Sequence, residues 1–117
     1  MSMRAALVHL AERAGARRRV AVLGLMAELG ADAPSYHREI GQAAARAGVD
    51  VLVAIGDLGR QYLKGAGGVA ESHWVAGVDE AIALLRGVLR PGDCLLVKGS
   101  RAAGLEAVAE ALAPVTA

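Results

Sequence analysis

The residues best suited to chemistry lie in three short glycine-containing segments, each directly after an apolar run. The last of them is Lys98-Gly99-Ser100-Arg101. Two cations, a hydroxyl and a glycine that lets backbone amides approach a ligand suit a carboxylate or a phosphate. The competing reading is an ordinary strand-to-helix turn with solvated cations. The first segment, residues 24–30, carries Glu28 and is followed by His37. These two could form a polar pair on a substrate or contacts at the entry of a helix, the second being the commoner outcome. The middle segment is Gly56-Asp57-Leu58-Gly59-Arg60, where an Asp is more often a helix N-cap than a catalytic acid.

Several chemistries find no support. No Gly-x-x-x-x-Gly-Lys-Ser/Thr occurs, so a self-contained cradle for nucleotide phosphates is missing. Gly24 is followed by Leu25 and Met26, which breaks the dinucleotide-binding pattern. His9, His37 and His73 match no metal-ligand spacing, and no Ser-His-Asp or Cys-His set assembles. By themselves, the residues describe a binding domain without a catalytic engine.

The elements that must position these segments follow from hydrophobic periodicity. Met3, Ala6, Leu7, Leu10 and Ala14 recur at helical spacing after a capping Ser2 and before Gly15. Residues 20–24 and 51–55 read as buried strands, 73–75 as a weaker one and 94–97 as a fourth. Between them, a loop through Gly30, Asp32 and Pro34 leads into a stripe of Tyr36, Ile40, Ala43, Ala44 and Ala47 closed by Gly48. A short helix runs towards Gly65, and Gly65, Gly67 and Gly68 read as a surface loop. Asp79 reads as the N-cap of a helix broken at Arg90-Pro91-Gly92-Asp93, and a last helix spans about 104–112. Strands alternating with helices predict one α/β domain, Rossmann-like and three-layered, with a mainly parallel sheet of at least four strands. Ligands of such sheets bind outside the carboxyl ends of the strands. If the first and fourth strands are neighbours, the segments at 24–30 and 98–101 share one crevice.

Composition agrees. The chain has 117 residues, 55% hydrophobic and 21% charged, which is too apolar for a disordered chain. Thirteen basic and twelve acidic residues leave a net charge of +1, which predicts no sequence-independent grip on nucleic acid or an acidic membrane. The lone Cys94 excludes an internal disulfide and, lying in an apolar run, reads as a buried structural thiol. No apolar stretch approaches the roughly 18 residues of a membrane helix, and no signal peptide is visible, so a cytoplasmic protein is expected.

The order of the segments resembles the third domain of the Mur ligase family. Val20-Ala21-Val22-Leu23-Gly24-Leu25-Met26-Ala27-Glu28-Leu29-Gly30 is similar to that domain's V-x-G-D-M-x-E-L-G segment. His37-Arg38-Glu39-Ile40-Gly41, Val53-Ala54-Ile55-Gly56, Arg90-Pro91-Gly92-Asp93 and Leu96-Val97-Lys98-Gly99-Ser100-Arg101 follow in the family's order. Ser2-Met3-Arg4-Ala5-Ala6-Leu7 resembles the start of the domain, just after an interdomain hinge.

The resemblance implies an ATP-dependent ligase of three domains, of the kind that joins D-alanyl-D-alanine to UDP-N-acetylmuramoyl-tripeptide during peptidoglycan precursor synthesis. It implies that ATP and Mg²⁺ are held mainly by a central domain, that the UDP-sugar is held by another, and that neither domain is part of this chain. Lys98, Gly99, Ser100 and Arg101 match the family's K-G-S-R loop, which faces the incoming amino acid or dipeptide. Glu28 matches the Glu of E-L-G, and Asp57 and Arg60 fall on a substrate-facing loop after the second strand. Leu25 departs from the pattern, standing where the family usually has Asp. The alternative to the ligase reading is a free-standing α/β binding or regulatory module for a small anion. Either way, no catalysis is expected from this chain alone.

Overall fold

Ser2 begins the fold. Its hydroxyl accepts the backbone N–H of Ala5 at 3.1 Å, capping helix α1, Met3–Ala14, a contact that stabilises a helix by about 1 kcal/mol. The computed structural model describes residues 1–27, 29–100 and 104–116. After α1 come β1, Arg19–Leu23; a 3₁₀ turn, Gly30–Asp32; α2, Ala33–Arg46; β2, Val51–Ile55; and α3, Gly59–Gly65. Then follow β3, Glu71–Val75; α4, Val78–Val88; β4, Cys94–Lys98; and α5, Glu106–Thr116. Helix α2 starts earlier than the loop signals suggest, because Pro34 sits in its first turn, where no N–H is needed. It closes as expected at Gly48, whose N–H returns to Ala45 O while that of Val49 returns to Ala44 O.

The four strands form one parallel sheet in the order β3-β2-β1-β4. Alternation of side chains along the strands divides the core into two layers. Ala21, Leu23, Leu52 and Ala54 meet α1, α2 and α3 on one face through Leu7, Leu10, Ile40, Ala44 and Tyr62. Val20, Val22, Val51 and Val53 meet α4 and α5 on the other through Ala81, Leu85, Val108 and Leu112. This is the three-layer α/β architecture expected. No helix among the described residues is long and apolar enough to cross a membrane.

Four local expectations need correction. Asp79 lies in the first turn of α4, whose N-cap is Gly77; the carboxylate used there is Glu80, accepting Ala76 N–H at 3.0 Å. Asp57 is exposed and does not cap α3, whose N-cap is Leu58. Cys94 is half-buried, because β4 lies at the sheet's edge. Gly65 is the last residue of α3 rather than part of a loop. A Cβ there would run into the carbonyl of Arg38, and one on Gly41 into that of Tyr62, so the two glycines let α2 and α3 touch backbone to backbone.

At the opposite end of the strands from the candidate segments, a part-buried ion pair joins the residue before β1 to the turn before β4. Arg18 donates Nε to Asp93 Oδ1 at 3.0 Å and Nη2 to Oδ2 at 2.7 Å, and also reaches Val88 O. Asp93 in turn accepts the N–H of Arg90 at 2.9 Å. Burial alone would raise the Asp93 carboxyl, but its bonds to Arg18 and Arg90 outweigh that and hold it below its ordinary value.

Candidate functional site

β1 and β4 are neighbours, with Leu23 opposite Lys98, so the segments following them leave the sheet side by side. The contact is made by backbone. Gly24 N–H donates to Lys98 O at 2.9 Å and Ser100 N–H to Leu25 O at 2.7 Å. Gly99 permits this approach: a Cβ on it would lie 3.2 Å from Gly24 Cα and 2.6 Å from a methyl of Leu105. The glycine of this segment therefore serves loop-to-loop packing, a role that the sequence reading did not give it.

The first loop is also held from beneath. His37, fully buried at the start of α2, donates Nδ1–H to Ala33 O at 2.6 Å, and its Nε2 accepts Met26 N–H at 3.2 Å. That pattern requires the neutral ring protonated on Nδ1. Burial lowers its pKa, and the bond to Ala33 only partly offsets this. Tyr62 of α3, also fully buried, donates its hydroxyl to Gly24 O at 2.7 Å, with its ring 4.8 Å from that of His37. His37 is thus the helix-entry contact and not half of an exposed polar pair. Tyr62 was missed by sequence reasoning, since a tyrosine on a short helix announces no partner.

Lys98, Gly99 and Ser100 are half-buried and line clefts on both sides. One, about 280 Å³, continues along Leu105, Glu106 and Ala109; the other, about 260 Å³, lies against Ser2, Met26 and Tyr36. The hydroxyl of Ser100 is buried and has no hydrogen-bond partner among the described residues. Two of the expected site residues, Glu28 and Arg101, lie outside the described residues.

Asp57 and Arg60 belong to a separate part of the same edge. The Arg60 guanidinium stacks 3.8 Å above the Trp74 ring, whose Nε1–H donates to Gly56 O at 2.7 Å. Beside them opens a cleft of about 460 Å³ walled by Leu25, Ile55, Leu58 and Val78, with Asp57 on its rim. Leu25 therefore adjoins both regions, accepting Ser100 N–H through its carbonyl and lining this cleft.

A family model described as Mur ligase, glutamate ligase domain, matches residues 1–101. The chain belongs to the Mur ligase family. It is 45% identical to the UDP-N-acetylmuramoyl-tripeptide--D-alanyl-D-alanine ligase of Mycobacterium tuberculosis, over 95% of this chain and 26% of that protein. Proteins of the same name from Escherichia coli and Synechocystis are 39% and 38% identical, again over 95% of this chain and 24% of their own lengths. The chain spans about a quarter of the length of the curated relatives it matches. Among the described residues of this Mur ligase domain, no three His, Cys, Asp or Glu side chains converge to hold a metal ion. The sequence contains no P-loop either.

Proposed function

We propose that this chain is the C-terminal domain of an ATP-dependent ligase that joins D-alanyl-D-alanine to UDP-N-acetylmuramoyl-tripeptide in cytoplasmic peptidoglycan precursor synthesis. The observation that carries the reading is 38–45% identity, over 95% of the chain, to enzymes of that name. In this reading the rest of the ligase holds the UDP-precursor and ATP with Mg²⁺, which activate the precursor's carboxylate. No step through either group is assigned to this chain.

Its own residues act on the dipeptide. Lys98 supplies a point charge and Arg101 a fork for the dipeptide's carboxylate, while Gly99 and Ser100 shape the loop between them. Glu28, Asp57 and Arg60 complete the substrate-facing edge. Because Lys98 ends a strand whose carbonyl is already tied to Gly24, its side chain leaves a rigid base. Fixing the dipeptide's amine against the activated carboxylate is the positioning that such a domain contributes. The test is ADP release by the full-length polypeptide with UDP-precursor, ATP, Mg²⁺ and D-alanyl-D-alanine. Release that depends on the dipeptide is expected, and none from these 117 residues alone. A full-length enzyme indifferent to D-alanyl-D-alanine overturns the reading.

A further inference from the structure

Arg60 uses its charge differently from the arginines that hold the fold together. Arg17, Arg18, Arg19 and Arg38 spend guanidinium donors on carbonyls or on the side chains of Asp93 and Gln61. The ion pairs among the described residues belong to Arg4, Arg18 and His73. Arg60, exposed in the first turn of α3, takes part in none of these bonds. Its guanidinium carbon rests 3.8 Å from the centre of the Trp74 ring. Attraction to an aromatic face fixes a cation without consuming its N–H donors.

The ring is itself fixed. Trp74 pairs with Ala54 of β2, so its side chain lies on the sheet face that carries α3. Its Nε1–H donates to Gly56 O at 2.7 Å, and the same carbonyl accepts Gly59 N–H at 3.0 Å. Gly56 N–H in turn donates to Val75 O at 3.0 Å. A Cβ on Gly59 would lie 3.1 Å from the carbonyl carbon of Ala54 and 3.4 Å from Trp74 Cδ1, so α3 begins directly against strand and ring. Residues 56–60 are thereby braced from β3, and the indole is the brace.

We propose that Trp74 is a positioning residue of the ligase, holding the Arg60 guanidinium at the carboxyl edge of the sheet with its donors free for a substrate carboxylate. A long side chain ordered before the substrate arrives removes that ordering cost from binding, and a guanidinium takes a carboxylate through two parallel bonds. The proposal rests on the reading of this chain as the C-terminal domain of a dipeptide-adding ligase. The carboxylate belongs either to the dipeptide or to the peptide of the UDP-precursor, and kinetics on the full-length enzyme separates the two.

Trp74→Leu removes the aromatic face and keeps an apolar side chain. It is expected to raise the KM for one of these two substrates about 2- to 5-fold, and the substrate affected identifies the source. The kcat and the KM for ATP are expected to change less than about 1.5-fold. Trp74→Phe, which keeps a ring but loses the bond to Gly56, is expected to restore most of the loss. Arg60→Ala is expected to raise the same KM about 10-fold or more. Adding Trp74→Leu to it should then change nothing further, because the ring has no cation left to hold. Equal effects of Trp74→Leu with and without Arg60 overturn the proposal, since the ring then acts only on the fold. A rise confined to the KM for ATP also overturns it. Arg60 is exposed, so Arg60→Ala decides even where Trp74→Leu does not fold: all three KM values unchanged overturn the proposal. Each of these results, in an enzyme that depends on D-alanyl-D-alanine, sinks the proposal alone. A wild type indifferent to the dipeptide sinks the functional reading and the proposal together, before any variant is made.

Discussion

The ring of His37 accepts the backbone N–H of Met26 at 3.2 Å, so a buried imidazole from α2 holds the loop that leaves β1. Protonation at Nε2 would replace that acceptor with a donor. Because the folded-state pKa is lowered from 6.5, the contribution of His37 is complete above that value and is lost as pH falls through the folded pKa. Denaturant midpoints are therefore expected to decline below about pH 6.5, and His37→Ala to remove most of that slope. The substitution leaves Met26 N–H without its partner, at a cost of about 1–3 kcal/mol. Nitrogen-15 spectra showing the Nε2–H tautomer at neutral pH would contradict the assignment.

Gly99 predicts a different failure. A Cβ there meets backbone of Gly24 and the side chain of Leu105, and only the second can move. Gly99→Ala is expected to lower stability by about 1–3 kcal/mol and to loosen the two loops together. Hydrogen exchange at Gly24 and Ser100, whose amides cross between the loops, should speed up in parallel. Acceleration at one amide without the other argues that the loops move independently.

What the sequence made legible was periodic, local or both. Ser2 and its helix, the strand at 51–55 and the adjacency of β1 and β4 depend on capping, on runs of apolar residues and on crossover handedness, all readable along one chain. What stayed hidden depends on contacts across distance. Tyr62 reaches a carbonyl 38 residues away, and Gly41 and Gly65 matter only because α2 and α3 cross there. Asp79 and Asp57 read as caps because a carboxylate near a helix start commonly is one, whereas a glycine and a leucine occupy those N-caps. In the candidate site, the β1–β4 crevice was foreseeable; its support by His37 and Tyr62 became visible only once three helices had been placed on one face.

The Arg18–Asp93 pair offers an acid-sensitive test at the amino ends of β1 and β4. The Asp93 side chain is 5% exposed and that of Arg18 19%, so removing one partner strands a largely buried charge. Asp93→Ala is expected to cost about 3–5 kcal/mol, read from urea midpoints at neutral pH. The bonds to Arg18 and Arg90 hold the carboxyl below its ordinary value in the folded protein. Its stabilisation is therefore present above about pH 4 and is lost as pH falls through the folded-state value. Wild type and Asp93→Ala should accordingly converge in stability as the solution is acidified below pH 4. A gap that persists unchanged at pH 2 would show that packing, not charge, accounts for the difference.

Lys98 provides the decisive test of substrate contact. Its backbone is fixed by β1 regardless of the side chain, since Lys98 O accepts from Gly24 N–H and its Cα pairs with Leu23. Lys98→Ala therefore removes the ammonium and leaves the loop in place. Losing a charge-assisted bond to a carboxylate costs about 1.5–3 kcal/mol, which corresponds to about 10- to 150-fold in an equilibrium constant. In the full-length ligase the KM for D-alanyl-D-alanine is expected to rise within that range, with the KM for ATP changing less than about threefold, a shift worth under 1 kcal/mol. Arg101→Ala should behave likewise, and Arg101→Lys should recover only part of the loss, because a point charge cannot replace a bidentate fork. A selective rise in the KM for ATP would move the loop from the dipeptide to the nucleotide. A fall in thermal stability with both constants unchanged would reduce Lys98-Gly99-Ser100-Arg101 to an ordinary strand-to-helix turn.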